Sequence, residues 1–308
     1  MPSIRIDRRH AAAAVTLRAG DVEATFLPEL GMVGAGLRWR DEEFVVLRGG
    51  ARAVAAGHTS GLPLLHPWAN RLARRRYVAA GVAVDLRGLD LPTDANGLPM
   101  HGTMLGRRGW EVVSARATRT RAVLTSRFDY GAHPDLLAAF PFPHVVEITV
   151  SVDDRGLSVT TTVRPSTDVP VPISFGWHPY LRVPGPRRDW RLRLPAAEHL
   201  ALDAKQIPTG RRRFQPAEDQ PIGERTFDDG YALGTDRRFA LTGGGVRLDV
   251  SFDGGYPFGQ VWVPAGKAFA CIEPMTAPTN ALLTDSYALA LPGAPYSAVF
   301  RCGVTAPY

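Results

Sequence analysis

The sequence predicts an all-β protein of antiparallel strands, either a sandwich or a barrel. The 31 glycines and 26 prolines are about one residue in five of the 308, against roughly 12% in an average protein. Residues of these two types interrupt the chain too often for the long helices of a bundle. Several segments alternate apolar and polar residues with the period of a β-strand, whereas no regular strand–helix alternation indicates a TIM barrel or a Rossmann fold.

The clearest strand pattern lies in residues 146–163. Apolar residues occupy every second position of 146–152, the next four residues include a glycine, and the alternation resumes over 157–163. Two such runs around a short glycine-containing loop predict an antiparallel hairpin. The other expected elements are strands at 4–6, 22–26 and 246–252, two strands around a polar turn within 110–128, a glycine turn at 243–245, and short helices at 134–140 and 280–286.

Charge and cysteine content argue against several classes of protein. The net charge is +6, but the basic residues are almost all arginines in small clusters without interleaved aromatic residues, which does not fit a nucleic-acid surface. Two cysteines, Cys271 and Cys302, are too few for a disulfide framework or a metal cluster. The N-terminal apolar run is a poor signal peptide, and no stretch has the length of a membrane span. We therefore expect a cytoplasmic protein with no nucleic-acid or membrane partner.

Motifs of common enzyme classes are missing as well. No G-x-G-x-x-G follows a predicted strand, and the chain lacks a P-loop, G-x-S-x-G, H-E-x-x-H and C-x-x-C. The sequence therefore does not indicate a nucleotide-dependent enzyme, a serine hydrolase or a zinc protease.

Glu273 is the first candidate for chemistry. It closes the apolar run 268–272 and shares one strand face with Phe269 and Cys271. A carboxylate in such surroundings is partly desolvated, so we expect its pKa to rise from about 4.3 toward the range of a general base. The alternative is a strand-end glutamate paired with an arginine.

Two histidines and one polar pair are further candidates. His178 stands between an aromatic residue and a proline, and an ordinary pKa near 6.5 would let it donate a proton at neutral pH. His101 precedes Gly102 in a predicted turn, where its ring could contact a ligand; each histidine could instead belong to the core. Asn70 and Arg71 suit hydroxyl or phosphate contacts, or form a loop ion pair. Three tryptophans could stack on a sugar or lie in the core: Trp68, Trp177 and Trp262.

These segments resemble the aldose 1-epimerase (mutarotase) family. The similarity spans nearly the whole chain, and the matching strings occur in the order typical of the family. They are PLLHPWANR (63–71), NGLPMHG (96–102), GWHPYL (176–181), FDDGY (227–231) and CIEPMTAPTNAL (271–282).

The resemblance implies a large antiparallel β-sandwich of the galactose mutarotase-like type, the supersandwich, with few short helices and a single domain over residues 1–308. It also implies an isomerase that interconverts the α and β anomers of a free aldose without a cofactor or metal, as a monomer or homodimer with a monosaccharide as its small-molecule partner. The residues that match the family's site are Glu273 as general base, His178 as general acid, His101 as second histidine, and Asn70, Arg71 and Asp228 as sugar-binding residues. Asp229 is the alternative to Asp228.

The sequence departs from the family pattern at two places. His66 stands where the family often has an aromatic or aliphatic residue. The string TMLGRRG (103–109) has an unusual order, which leaves open whether Arg107, Arg108 or neither enters the site.

Four other functions remain open at this point. A hexose-6-phosphate epimerase could use the arginines at 74–76, and a sugar-binding protein could share the fold without catalysis. A glycosidase could use Glu273 and Asp228 as its two carboxyl groups. A zinc enzyme would need His66, His101 and His178, although no pair of them has ligand-like spacing.

Overall fold

The computed structural model describes residues 1–9 and 12–306. Over these residues the chain forms 26 β-strands and three short α-helices, α1 (Gly50–Ala55), α2 (Pro134–Leu137) and α3 (Ala281–Thr284), with three further single turns of 3₁₀-helix at Pro28–Leu30, Tyr130–Ala132 and Arg187–Asp189. The strands are β1 (Ser3–Arg9), β2 (Ala12–Ala19), β3 (Val22–Leu27), β4 (Val33–Trp39), β5 (Glu42–Glu43), β6 (Leu64–Leu65), β7 (Arg76–Ala79), β8 (Val82–Asp85), β9 (Glu111–Ala117), β10 (Ala122–Asp129), β11 (His144–Asp153), β12 (Gly156–Pro165), β13 (Val171–Ile173), β14 (Gly176–Trp177), β15 (Tyr180–Leu181), β16 (Arg191–Leu194), β17 (Ala197–Leu202), β18 (Pro208–Gln215), β19 (Glu218–Pro221), β20 (Phe227–Leu233), β21 (Arg238–Gly243), β22 (Val246–Gly254), β23 (Phe258–Val263), β24 (Ala270–Met275), β25 (Ala288–Ala290) and β26 (Tyr296–Thr305).

Two large sheets form the body of the molecule. One has nine strands in the order β19-β16-β21-β22-β26-β12-β11-β10-β9, and the other has eight in the order β18-β17-β20-β23-β24-β14-β6, with β15 also paired to β24. A five-stranded sheet, β1-β2-β3-β4-β5, packs through β2 against β10 and β11. The strand pairs within these sheets are antiparallel, which confirms the predicted fold class.

The predicted hairpin is β11 and β12. Val146 pairs with Val163 and Val152 with Leu157, so the apolar side chains of both strands lie on one buried face. The stretch 110–128 forms β9 and β10 around a turn, as expected for a segment rich in β-branched residues. Short helices occur at both predicted places, and the glycines at 243–245 connect β21 to β22. Helix α1 was not predicted, because two glycines stand at its start.

The main core fills the space between the two large sheets. Trp177 of β14 is fully buried, its Nε1 donates to Oγ1 of Thr161 in β12 at 3.0 Å, and its ring contacts Phe300 of β26. Trp68 is fully buried in the same core. A large apolar side chain buried in this way contributes about 1.5–3 kcal/mol. Two of the three tryptophans named above are therefore core residues.

The eight-stranded sheet has a second, outer face that carries polar residues. In β23 and β24, Val261 and Ile272 point into the core, so their neighbours Gln260 and Glu273 point away from it. The partly buried Trp262 lies on the outer face with Cys271. No helix of the described residues is long and apolar enough to cross a membrane.

His66 and His144 form a buried imidazole pair, with His66 in the loop after β6 and His144 at the start of β11. Their Nε2 atoms are 2.7 Å apart, and Nδ1 of His144 lies 2.5 Å from the carbonyl oxygen of Phe142. Since Nδ1 of His144 donates to that carbonyl, its Nε2 accepts from Nε2–H of His66, so both rings are neutral. Burial lowers the pKa of His66 well below its usual value and that of His144 to about 4.

The neutral pair makes stability depend on pH. A histidine with a lowered pKa in the folded state binds fewer protons than in the unfolded chain, so stability is lost as pH falls from about 6.5 toward 4. In the His66→Phe variant, the neighbouring rings of Tyr130 and Phe140 can pack against the new phenyl ring. The variant should reduce the slope of the unfolding free energy against pH by about 1.4 kcal/mol per pH unit. Urea denaturation at several pH values measures the slope. The exposed His58→Phe is the control and should not change it; equal slopes in the two variants would contradict the assignment.

Candidate active site

Glu273 and His178 form a buried pair on the outer face of the eight-stranded sheet. Oε1 of Glu273 lies 3.4 Å from Nε2 of His178, and their side chains are 2% and 7% exposed. β24 supplies Glu273, and His178 lies between β14 and β15, where its backbone N–H donates to the carbonyl of Pro63. The alternative for Glu273, a strand-end carboxylate paired with an arginine, is therefore not what the structure shows.

Aromatic rings surround the pair. The His178 ring stacks on Tyr180, with centroids 4.8 Å apart, and meets Trp262 and His101 edge to face. The Tyr180 hydroxyl is fixed by a 2.7 Å hydrogen bond to Oγ1 of Thr59. Trp262 is thus the tryptophan that lies at the site.

Burial shifts the pKa values of these groups in opposite directions. Burial raises the pKa of Glu273 well above its ordinary value, the carboxylate of Asp228 raises it further, and Arg71 lowers it. Burial lowers the pKa of His178 to about 3. Burial, His178 and Arg71 together hold the pKa of His101 well below its ordinary value. The rise for Glu273 is as expected, but the expected pKa near 6.5 for His178 is wrong, because the surrounding rings exclude water from it.

These shifts favour a neutral carboxyl group beside a neutral imidazole, so the pair holds one proton between the lowered pKa of His178 and the raised pKa of Glu273. Oε2 of Glu273 and Nδ1 of His178 are buried and have no hydrogen-bond partner among the described residues, and the same is true of Nδ1 of His101. Buried polar atoms in folded proteins are normally paired. Three unpaired polar atoms at one place indicate a site that offers hydrogen bonds to a ligand.

Two loops carry Asn70, Arg71 and His101, and their backbones are bonded together. The N–H of His101 donates to the carbonyl of Asn70, and Arg71 forms an isolated β-bridge with Met100. Asn70 and His101 both have left-handed backbone conformations, with φ of 54° and 63°. Such conformations are unfavourable for residues other than glycine and are kept where surrounding bonds fix them.

Asp94 holds the guanidinium of Arg71. Nε of Arg71 donates to Oδ2 of Asp94 at 3.0 Å, and the two side chains are only 13% and 6% exposed. Oδ1 of Asp94 accepts the backbone N–H groups of Asn96 and Leu98, each at 2.9 Å. Burial alone would raise the pKa of Asp94, but these donors and Arg71 lower it below its usual value. Arg71 also lowers the pKa of Glu273 and Asp228. The bond between Asp94 and Arg71, called the Asp94 clamp, therefore fixes a positive charge next to both carboxyl groups.

β20 places its two aspartates on opposite faces. Asp228 accepts a 2.8 Å hydrogen bond from Nε2 of Gln260. Gln260 is in β23 and lies directly across from Glu273 of β24. Asp229 instead bonds to Nε2 of His199 at 2.8 Å. Burial raises the pKa of Asp228, while Arg71 and Gln260 lower it. Of the two aspartates, Asp228 therefore lies on the same face of the sheet as Glu273.

The structure brings the sequence candidates to one place. Glu273, His178, His101, Arg71 and Asp228 act on one another electrostatically or through ring contacts, and Asn70 joins them through its backbone.

Sequence reasoning missed Gln260, Asp94 and Asn280, whose Oδ1 accepts the N–H of Ala73. Their partners are distant in the chain, so no local signal identified them.

Other candidates have different surroundings. Arg107 pairs with Asp135 at 2.8 Å, and Arg108 is exposed. Cys271 is fully buried, and burial raises the pKa of its thiol. Among residues 1–9 and 12–306, no group of three or more His, Cys, Asp or Glu side chains is arranged to hold a metal ion.

Comparison with known proteins shows the family of the chain. The family model described as aldose 1-epimerase matches residues 34–293. The chain belongs to the aldose 1-epimerase family.

Several crystal structures share the fold of this family member. A galactose mutarotase-like protein from Clostridium acetobutylicum has a TM-score of 0.86 at 18% identity, with 99% of each chain covered. An aldose epimerase homologue from C. elegans has a TM-score of 0.75 at 17% identity over 100% of each chain. A galactose 1-epimerase from Lactobacillus acidophilus has a TM-score of 0.78 at 12% identity, with 100% of this chain and 99% of that one covered. At these identities the likeness shows the fold alone.

Gly102 fixes the loop that carries His101. Its φ is 69°, and a Cβ atom would collide with the backbone carbonyl oxygen of His66, which cannot move away as a flexible side chain could. We expect Gly102→Ala to destabilise the protein by more than about 3 kcal/mol. Gly97→Ala is the control, because φ is 74° there but no atom lies within 4 Å of the added Cβ, so only about 1–2 kcal/mol is expected. Urea denaturation compares the two, and similar losses would contradict the steric argument.

Proposed function

We propose that the protein is an aldose 1-epimerase that interconverts the α and β anomers of a free aldose, with residues 1–308 acting as one domain. The observation that carries the proposal is the buried pair of Glu273 and His178, whose unpaired polar atoms lie among hydrogen-bonding side chains. Membership of the aldose 1-epimerase family supports it.

Anomer exchange needs two proton transfers and no change of oxidation state. Glu273 takes the proton of the C1 hydroxyl while His178 gives a proton to the ring oxygen, and the bond between C1 and that oxygen breaks to give an open-chain aldehyde. Rotation about C1–C2 presents the other face of the carbonyl, and the reverse transfers close the ring. The reaction thus returns both protons and needs no cofactor.

The pair starts this reaction from the proton it already holds. A carboxylate beside an imidazolium has the same number of protons as a carboxyl group beside a neutral imidazole, so only the position of one proton differs. Hydroxyl groups of a bound sugar can bond to both charged forms, which offsets the loss of water that disfavours them.

The remaining polar residues hold the sugar. Arg71, with its direction fixed by Asp94, donates hydrogen bonds near the ring oxygen, and the neutral His101 donates or accepts one there. Asp228, bonded to Gln260, accepts bonds from hydroxyl groups remote from C1. Asn70 offers its amide from the same loop as Arg71. Trp262 is the aromatic surface against which an apolar sugar face packs.

The arginines at 74–76 give little support to a sugar phosphate. Nη1 of Arg75 donates to the carbonyls of Leu86 and Leu89, and Arg76 pairs with Asp85 on the β7–β8 hairpin. Two of the three guanidinium groups are therefore engaged by other parts of the protein.

Glu273→Gln tests the proposed base. The amide keeps the shape of the side chain but cannot take a proton, so acceleration of mutarotation should fall by at least about 10²-fold while sugar binding is largely kept. Polarimetry on freshly dissolved α-glucose, α-galactose and α-xylose measures the rate above a protein-free control. Glu147→Gln, on the nine-stranded sheet in a pair with Arg127, should keep full activity. Near wild-type turnover in Glu273→Gln would refute the assignment.

The raised pKa of Glu273 and the lowered pKa of His178 predict an unusual pH profile. Because the active form needs one proton on the pair, kcat/KM corrected for the spontaneous reaction should be kept on the acid side until His178 takes up a second proton near its lowered pKa of about 3, and should fall on the alkaline side only when Glu273 loses its proton at its raised pKa. A pair with ordinary pKa values would already lose half its activity on the acid side at about pH 4.3, where its glutamate becomes protonated. Mutarotation rates at each pH, with the spontaneous rate subtracted, distinguish the two. Half-maximal activity near pH 4.3 would show that the shift of His178 is absent.

A further inference from the structure

A pocket lies between the β7–β8 hairpin and α3, apart from the Glu273–His178 pair. Its volume is about 570 Å³, within the range of about 300–1,000 Å³ that is typical of small-molecule sites. Among the described residues that line it, none belongs to the candidate active site. It is called the hairpin pocket below and is defined by the lining residues Arg74, Arg76, Val78, Ala83, Leu283 and Asp285.

Hydrogen bonds between its two walls fix the shape of the hairpin pocket. The backbone N–H of Ala80, in the turn between β7 and β8, donates to the hydroxyl of Tyr287 at 2.8 Å. That hydroxyl in turn donates to Oδ1 of Asp285 at 2.9 Å. The hairpin itself is anchored by Tyr77, whose hydroxyl donates to the carbonyl of Ala139 at 2.7 Å. Because the walls are already held together, a ligand loses less free energy in ordering them.

The hairpin wall of the pocket carries two guanidinium groups. Arg76 donates through Nε to Asp85 at 3.1 Å, but Asp85 is also bonded by Nε and Nη2 of Arg87, so two guanidinium groups share one carboxylate. The exposed Arg74 has no hydrogen-bond or ion-pair partner in the part of the chain that the structure describes. A free guanidinium beside a second one favours an anion with several acceptor oxygen atoms, such as a phosphate monoester.

The rest of the lining suits a sugar attached to that phosphate. Val78 is 56% exposed and pairs with Ala83 across the hairpin, and Leu283 of α3 lines the same pocket. These apolar side chains offer a surface to the C–H face of a pyranose ring, which loses water when it packs there. The carboxylate of Asp285 accepts hydrogen bonds from hydroxyl groups. A sugar phosphate therefore matches both the charged and the apolar part of the pocket.

Both walls of the pocket lead to Arg71 of the candidate active site. The N–H of Asn280 donates to the carbonyl of Arg71 at 3.0 Å, and Oδ1 of Asn280 accepts the N–H of Ala73 at 2.8 Å. Arg74 follows directly after Ala73, and α3 begins directly after Asn280. A ligand that bridges Arg74 and Asp285 therefore restrains a segment that includes Arg71.

We propose that the hairpin pocket is an effector site that binds a sugar phosphate and, through the two bonds of Asn280, strengthens the binding of the aldose at Arg71. The phosphate bonds to Arg74 and Arg76, and hydroxyl groups of the sugar bond to Asp285. Because the bound effector restrains the segment of Arg71, less conformational freedom is lost when the aldose binds. The effect on the aldose rests on the proposed function, whereas the binding of the sugar phosphate does not.

Isothermal titration calorimetry with glucose 1-phosphate tests the pocket directly. This sugar phosphate has no free anomeric hydroxyl group, so it cannot be a substrate of the proposed reaction. We expect it to bind at least about tenfold more tightly than inorganic phosphate, because only the ester contacts the apolar wall. Equal binding of the two anions would contradict the recognition of the sugar, and no binding of glucose 1-phosphate would refute the proposal.

Two pairs of variants locate the binding. Arg74→Gln should lower the affinity for glucose 1-phosphate at least about tenfold. Its control is Arg119→Gln, which removes the same charge from an exposed arginine of the β9–β10 turn and should change the affinity less than about twofold. Ala83→Trp fills the pocket and should abolish detectable binding, whereas Ala117→Trp, on the exposed strand β9, should not. Equal losses in both arginine variants would show attraction to net charge alone and overturn the proposal.

Enzyme kinetics test the link to Arg71. Saturating glucose 1-phosphate should lower the KM of an accepted aldose at least about fivefold and change kcat less than about twofold. In Glu273→Gln, which binds the aldose without converting it, saturating aldose should raise the affinity for glucose 1-phosphate by the same factor. A KM that rises with glucose 1-phosphate would mean that the two sugars compete for one site. That result or an unchanged KM would refute the effector role.

The proposed function and the effector site fail in different ways. If no aldose shows enzyme-dependent mutarotation, the proposed function is wrong, and calorimetry on wild type, Arg74→Gln and Arg119→Gln still tests the hairpin pocket. If mutarotation is catalysed but glucose 1-phosphate does not bind, the effector site alone is wrong.

Discussion

The structure depends on the packing of the eight-stranded sheet against the nine-stranded one. That packing directs Val261 and Val263 of β23 and Ala270 and Ile272 of β24 into the core, and the intervening positions are thereby directed to the outer face. Val261 and Ile272 are buried in the core, and their neighbours Gln260 and Glu273 stand across from each other on the other side. A shift of the pairing by one residue would bury both polar groups in the core and expose the apolar ones. The core therefore determines which carboxyl groups can meet at the site.

The second constraint is electrostatic, since the site buries several ionisable groups with few counter-charges. Burial favours the neutral forms of Glu273, His178 and His101, whereas the guanidinium of Arg71 favours the charged form of the carboxyl groups. Asp94 offsets part of that positive charge and fixes its direction at 3.0 Å. The charge of Glu273 is therefore set by its own burial on β24, by Asp228 on β20 and by Arg71 on the loop after β6.

Local patterns predicted much of the fold and part of the site. The hairpin of β11 and β12 and the strands within 110–128 follow from alternation and β-branched residues, and the raised pKa of Glu273 follows from its apolar neighbours in β24. What failed depends on contacts between distant segments. The pKa of His178 is lowered by burial among rings that the sequence does not place near it, including Trp262. The clamp of Asp94 on Arg71 spans 23 residues, and only the folded loops bring the two together.

The loop at 101–102 connects the site to the buried imidazole pair. The carbonyl of His66 accepts the N–H of Thr103 and lies against Gly102, while the ring of the same His66 bonds to His144. The first proton taken up by the pair can go to the unpaired Nδ1 of His66 and leave the bond between the two Nε2 atoms in place. A second proton would put two N–H groups opposite each other at 2.7 Å, so that bond would break. The ring of His66 thus responds to acid, while its backbone carbonyl supports the loop of His101 through Thr103, and both effects meet at this one residue.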